Sequence, residues 1–281
     1  MSDKMPEFVA APDGVRLAVY EWGNPSGPEL VLIHGNSQCH LCWTPQIDSA
    51  LAKDHRIIAF DLRGHGASDK PATPSSYLGK SVWAEDVAAV LQAKSLRRPL
   101  LVGWSMGGRI IRQYLMNFGD AAIAGINFVG SRIIEDSGLR PPPGPIPLPT
   151  AGQPLSQQIA GAIAFLDRCY AIKPNETDFR LAIGYNMLIP IAVRDAVQSW
   201  TTDPAETIPA MQRVRVPVLI TQGRQDAVVA PRTAERVKEH IRHAELSWYD
   251  DCGHTPFQED ARRFNAELAA FAKRVFTAPA G

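Results

Sequence analysis

The stretch that most constrains this chain is Pro99-Leu100-Leu101-Val102-Gly103-Trp104-Ser105-Met106-Gly107-Gly108, where a short apolar run ends at a serine bracketed by glycines and a helical pattern begins at once. A side chain on so sharp a strand-to-helix turn stands clear of a sheet, and glycines at 103, 107 and 108 let neighbouring backbones approach without Cβ clashes. Ser105 is the candidate nucleophile. The Gly-x-Ser-x-Gly pattern alone is a weak signal, because a glycine-rich surface turn with a solvated serine has the same letters. What lies around it decides.

The segment Glu7 to Glu21 alternates apolar and polar residues around Pro12-Asp13-Gly14 and predicts a β-hairpin. The runs Leu30 to Ile33, Ile57 to Phe60, Leu100 to Val102 and Ile123 to Val129 are short, unalternating and bounded by turns or helical patterns, as expected of strands buried on both faces of a parallel sheet. Helical spacing fills the gaps between them, as in Ser81 to Leu91 with apolar positions at 83, 87, 90 and 91. Strand alternating with helix implies right-handed crossovers and an α/β layer fold. Val216 to Thr221 and Glu245 to Tyr249 resume the strand pattern late in the chain.

Between the two strand sets, from Ser131 to about Arg213, strand signals vanish. A proline-rich stretch, Pro141 to Pro149, is followed by helical patterns near 155 to 171, 176 to 189 and 192 to 200. Residues 131–213 are therefore expected to form an inserted helical cap, and 1–130 with 214–281 the core that carries it. A chain of 281 residues, 45% hydrophobic, suits such a domain with an insertion.

Lysine plus arginine and aspartate plus glutamate number 29 each, so no overall field favours nucleic acid or an anionic membrane, and the expected partner is a small molecule. The opening Met1 to Glu7 carries charge and proline where a secretory signal has an apolar core, and no run approaches membrane-spanning length, so a cytoplasmic location is the default expectation. Cys39, Cys42, Cys169 and Cys252 are too few and scattered for a disulfide scaffold and are read as free thiols. Cys39 and Cys42 have C-x-x-C spacing without a second metal-like pair, so neither a metal nor a redox role is assigned.

A serine hydroxyl needs a base to take its proton and an acid to fix the tautomer of that base. His254 follows a predicted strand within Asp251-Cys252-Gly253-His254-Thr255-Pro256-Phe257, at the carboxyl end where ligands gather in open α/β sheets. Asp226, in Gly223-Arg224-Gln225-Asp226, sits just beyond another strand and is preferred as the acid to Asp250 and Asp251, which are expected to cap the following helix. The order Ser105, Asp226, His254 is the order of α/β-hydrolases and differs from those of the chymotrypsin and subtilisin types. An oxyanion needs two donors, and the backbone N–H groups of Asn36, after Ile33-His34-Gly35, and of Met106 are the candidates. His34, before a glycine at a strand end, is expected to prop its loop. Trp104 is expected to fill core, and Arg132 to make a surface salt bridge.

These residues resemble a serine α/β-hydrolase of the esterase and cofactor-free haloperoxidase-like branch. The matches are His34-Gly35-Asn36, Asp61 to Asp69, Gly103 to Gly108, Gly223 to Asp226 and Gly253-His254, in the family's order. The resemblance implies an eight-stranded, mostly parallel sheet with helices on both faces, a cap inserted after the sixth strand, and no metal or organic cofactor. It also implies that Asp61 to Asp69 is a structural loop. Relatives that are haloalkane dehalogenases or epoxide hydrolases carry aspartate at the elbow, and Ser105 disfavours those chemistries here. The expected activity is cleavage of a carboxylic ester of a small, mainly apolar substrate through an acyl-enzyme, with the aromatic content of the cap, Phe165, Tyr170, Phe179, Tyr185 and Trp200 among it, suggesting an apolar pocket. Perhydrolysis, carbon–carbon bond hydrolysis and a non-catalytic ligand receptor on the same fold are the alternatives.

Overall fold

The computed structural model describes residues 4–135 and 149–277, so the proline run falls outside the described residues except for Pro149. The hairpin forms from β1 (Glu7–Ala10) and β2 (Arg16–Gly23), joined through a turn in which Gly14 takes φ +85°. The remaining strands are β3 (Glu29–Ile33), β4 (Arg56–Phe60), β5 (Leu100–Trp104), β6 (Gly125–Val129), β7 (Val218–Gly223) and β8 (Glu245–Tyr249). They build one eight-stranded sheet in the order β1-β2-β4-β3-β5-β6-β7-β8. The β1–β2 and β2–β4 pairs are antiparallel and all others parallel.

The unalternating strands are explained by burial on two faces, with successive side chains pointing to opposite sides. Val31, Ile33, Ile58, Phe60 and Leu101 enter one apolar cluster, whereas Leu30, Leu32, Ile57, Ala59, Leu100 and Val102 enter the other. On the first face lie α1 (Val82–Ala93), whose Trp83, Val87, Val90 and Leu91 are buried as the spacing predicts, and α2 (Met106–Phe118). On the second lies the last long helix, Ala261–Thr277, through Phe264, Leu268 and Phe271.

Two strands start two residues later than the sequence predicts. The segment expected from Val216 pairs only from Val218, because Pro217 has no N–H to give and the Val216 N–H is taken by the Asp120 carboxylate. The one expected from Ile123 pairs only from Gly125.

Between β6 and β7 the described residues hold α3 (Leu155–Cys169), α4 (Glu176–Met187), α5 (Ile191–Ser199) and α6 (Pro204–Gln212). The last was not expected, since Pro204 and Pro209 dilute its apolar period. Asp203, which accepts the Ala205 N–H at its start, and Pro204 in the first turn are the signals that could have found it. The insertion is not uniform. Phe165, Leu166, Cys169, Tyr170, Ala182 and Tyr185 of its first part make a separate cluster with Cys39, whereas Val193, Ala196, Val197, Trp200, Ala210 and Met211 join the main core, where Trp200 stacks on Trp83.

The chain leaves β3 for β4 on one side and later returns to β5 on the other. The carboxyl ends of β3 and β5 therefore flank a topological switch point, where open α/β sheets form their clefts.

Candidate active site

Ser105 occupies the turn between β5 and α2 with φ +53° and ψ −112°, a conformation that side-chain-bearing residues avoid. The flanking glycines hold that turn in place. A Cβ on Gly107 would lie 2.2 Å from the Ile33 carbonyl oxygen, one on Gly103 would lie 2.7 Å from the Gly107 backbone, and one on Gly108 would lie 2.2 Å from Ser131 Oγ. The Ser105 N–H is donated to the Val129 carbonyl at 2.8 Å, which ties the elbow to the end of β6.

The loop after β3 runs against this serine. A Cβ on Gly35 would meet Ser105 Cβ at 3.2 Å and the Trp104 ring at 3.1 Å. Asn36 and Met106 thus flank Ser105, and among the described residues the backbone N–H of neither donates a hydrogen bond.

The loop is braced from below by two buried imidazoles. His34 accepts the Leu62 N–H at Nε2 and donates from Nδ1 to the Gly35 carbonyl, and burial lowers its pKa to about 4. His65 accepts the Ser37 N–H and donates to the Arg63 carbonyl, with burial, reinforced by neighbouring His34, lowering it to about 3. Both stay neutral, and His34 props its loop as its place before a glycine suggests.

His254 is buried, with Nδ1 donating to Asp226 Oδ2 at 2.8 Å. Asp226 is itself immobilised. Its Oδ1 accepts the Val228 and Val229 N–H groups at 2.8 Å, and Oδ2 also accepts Gln222 Nε2 at 2.9 Å. The two loops meet because Gly223 lacks a side chain, since a Cβ there would fall 1.9 Å from the Gly253 carbonyl oxygen. The competing carboxylate Asp250 is exposed and bound to Arg224 at 2.6 Å; it pairs with this arginine and caps no helix.

Trp104 joins the serine and histidine loops. Its ring packs beside His254 and Phe257, and its Nε1–H is donated to the His254 carbonyl at 2.8 Å. It fills core as expected and also holds the histidine loop. Gly130 lies next to the carbonyl that receives the Ser105 N–H, and a Cβ on it would lie 3.1 Å from His254 Nδ1. The elbow, the histidine and the aspartate are therefore gathered at the carboxyl ends of β5, β8 and β7.

Two residues escaped the sequence reading. Arg194 of α5 is buried and donates to Ser37 Oγ at 2.9 Å and to Asn186 Oδ1 at 3.1 Å, so it joins the insertion to the loop holding Asn36, and burial lowers its pKa to about 10. Glu259 lies five residues beyond His254 and accepts hydrogen bonds from both sides of that residue. Neither has a sequence signature, since a helical arginine and a helical glutamate are read as surface residues by default. Arg132 does form the surface salt bridge expected of it, to Glu135 at 3.0 Å.

Among the described residues one group, Cys39, His40 and Asp61, brings three potential metal ligands together. Its acid is already occupied, accepting the His40 N–H, His40 Nδ1 and the Ala67 N–H. Burial, reinforced by the Asp61 charge, raises the Cys39 thiol and keeps it protonated. This arrangement braces the Asp61 to Asp69 loop. All four cysteines are buried free thiols. Among the described residues no helix is long and apolar enough to cross a membrane.

Comparison with known proteins bears on the fold and the family. A model of the alpha/beta hydrolase family matches residues 30–267. The solved structure of a putative aryl esterase from Burkholderia cenocepacia superposes with a TM-score of 0.91 at 35% identity, over 97% of this chain and 100% of that one. Esterase RhEst1 from Rhodococcus sp. ECU1013 superposes with a TM-score of 0.88 at 31% identity, over 97% and 100%. In sequence, a non-heme chloroperoxidase from Streptomyces lividans is 26% identical over 94% of this chain and 99% of its own length.

Proposed function

The chain belongs to the alpha/beta hydrolase family, and from that premise we propose that it is a serine carboxylesterase acting on small, mainly apolar esters. The observation that carries this reading is the buried Asp226–His254 pair at the same end of the sheet as a strained Ser105, which is flanked by two backbone N–H groups that donate no hydrogen bond among the described residues. His254 takes the Ser105 proton through Nε2 while its Nδ1–H stays on Asp226, which fixes the tautomer and stabilises the cation. The serine oxygen attacks the ester carbonyl. The N–H groups of Asn36 and Met106 receive the oxyanion, each donor worth about 3 kcal/mol of barrier. His254 returns its proton to the leaving alcohol, and water, activated by the same base, releases the acid.

The esterase names of the Burkholderia and Rhodococcus proteins support the bond type. The apolar preference is supported by the cluster of Phe165, Tyr170 and Tyr185 with Cys39, whose Cys169 carbonyl binds the His254 N–H. Helices α3 to α6 are read as the cap over the site, with residues 131–213 as its extent and the rest as the core.

A second reading, peracid formation from a carboxylic acid and peroxide at the same serine, is favoured by the name of the Streptomyces relative. Purified protein compared on nitrophenyl acetate and butyrate, and on acetate with hydrogen peroxide, separates them. Ester turnover that vanishes in Ser105→Ala is the expected result. Peracid formation without ester turnover favours the second reading, and activity retained in Ser105→Ala overturns both.

A further inference from the structure

We propose that Glu259 is a positioning residue that staples the histidine loop to the connection between α3 and α4, so that the inserted helices hold the base as firmly as Asp226 does. The proposal rests on the reading of His254 as the base. Glu259 Oε1 accepts the Gly253 N–H at 3.0 Å, the Thr255 N–H at 3.1 Å and the Thr255 hydroxyl at 2.8 Å. Its Oε2 accepts the N–H groups of Ala171 and Ile172 at 2.8 Å each and shares that of Gly253 at 3.0 Å.

One carboxylate thus gathers the residues immediately before and after His254 and two residues of the insertion. An ordinary helix-start arrangement accounts for the Thr255 contacts, because an acid near the first turn pairs with the cap residue there. It does not account for Ala171 and Ile172, which belong to another segment altogether. The same seam continues without Glu259. The His254 N–H is donated to the Cys169 carbonyl at 2.8 Å, and Tyr170 Oη donates to Gln258 at 2.8 Å. Gly253 passes so close to this segment that a Cβ would lie 2.7 Å from the Ala171 nitrogen.

The chemistry of the donors explains why an acid stands here. Five donor groups converge on two oxygens, which an ionised carboxylate can satisfy and an amide cannot, since one of its ends is itself a donor. A glutamine at 259 can serve the histidine loop or the insertion, but not both. With the staple cut, the backbone of His254 keeps its links to Trp104 and to the Cys169 carbonyl, and the two residues that flank it lose their shared anchor. The consequence falls on the base and so on kcat, with the substrate's grip in KM largely spared.

The test uses full-length Glu259→Gln and Glu259→Asp, with active sites counted by phosphonate titration and the His254 imidazole titrated by NMR. The expected result for Glu259→Gln is a fall in kcat per titrated site of roughly tenfold or more, part of the 10²–10⁴ that a positioned base supplies, with KM changed less than about threefold. The NMR profile of His254 departs from that of the parent, and Glu259→Asp recovers part of both changes. A merely structural Glu259 lowers the melting temperature and leaves kcat per site and the His254 titration unchanged, which overturns the proposal. Should Glu259→Gln fail to fold, Thr255→Val removes one donor, and the same readouts apply on a smaller scale. The titration does not depend on turnover. A parent that cleaves no ester while Glu259→Gln still shifts His254 overturns the esterase reading and leaves the staple standing, and an active parent with an unmoved His254 does the reverse.

Discussion

Two buried aspartates in this molecule each hold a histidine by Nδ1, Asp226 with His254 at 2.8 Å and Asp61 with His40 at 2.9 Å. The pairs are nearly equal in distance and differ in which residues surround them. The other donors to Asp226 come from Val228, Val229 and Gln222, so the carboxylate is fixed by its own turn and strand, and the buried His254 ring packs beside Trp104. Asp61 collects the His40 backbone N–H as well as its ring, and the imidazole lies flat on Tyr20 with centroids 3.6 Å apart. One ring is tilted against Trp104, the residue before the elbow serine, and the other lies stacked on Tyr20. A histidine–carboxylate pair therefore does not define a catalytic base; what the far nitrogen can reach does.

The sharpest way to break this contrast is to remove what His254 is taken to serve. Ser105→Ala should lower kcat/KM on a nitrophenyl ester by roughly 10⁴–10⁶, as loss of a nucleophile does, with the melting temperature unchanged because alanine keeps the Cβ that strains the elbow. Asp226→Asn should cost roughly 10⁴ in kcat by favouring the wrong imidazole tautomer. Asp61→Asn should do the opposite, leaving kcat per folded molecule within about threefold while removing about 3 kcal/mol of stability in chemical denaturation, because it disturbs buried donors that water cannot reach. If Asp61→Asn lost as much activity as Asp226→Asn, the distinction drawn between the pairs would be wrong.

A smaller effect comes from pH. His34 and His65 have pKa values lowered by burial to about 4 and about 3, below the ordinary 6.5, so the unfolded chain binds their protons first and stability is lost as pH falls below about 6.5. Asp86, which burial pushes up to about 6, works in the opposite sense between 3.8 and 6 and cancels about one of the two protons. The two histidines outweigh the one carboxylate, and the net is an unfolding free energy that falls from pH 6 to 4, measurable in urea at each pH. A flat profile across that range would mean that the loop under Asn36 is not braced by neutral imidazoles.

The central strands and the elbow were legible in the sequence because parallel strands buried on both faces leave bare apolar runs, and because Gly103, Gly107 and Gly108 sit where a Cβ would strike backbone or a neighbouring side chain. The Asp226 and His254 loops were legible as the turns that follow β7 and β8. The Glu259 staple and the Arg194 contact were not, since each joins residues far apart in the chain and neither leaves a period or a spacing. Helix α6 was obscured by its own prolines. The unlike halves of the insertion, one with its own cluster and one sharing the main core, follow from which residues Trp200 and Tyr185 face, which helical periodicity alone does not specify.

The most direct measurement is the site and rate of phosphonylation by a fluorophosphonate, read by mass spectrometry of the digested protein. The account predicts a single adduct on the peptide carrying Ser105, formed at least roughly a hundredfold more slowly when His254 is replaced by alanine. An adduct on any other residue, or labelling of Ser105 that is indifferent to His254, would contradict it.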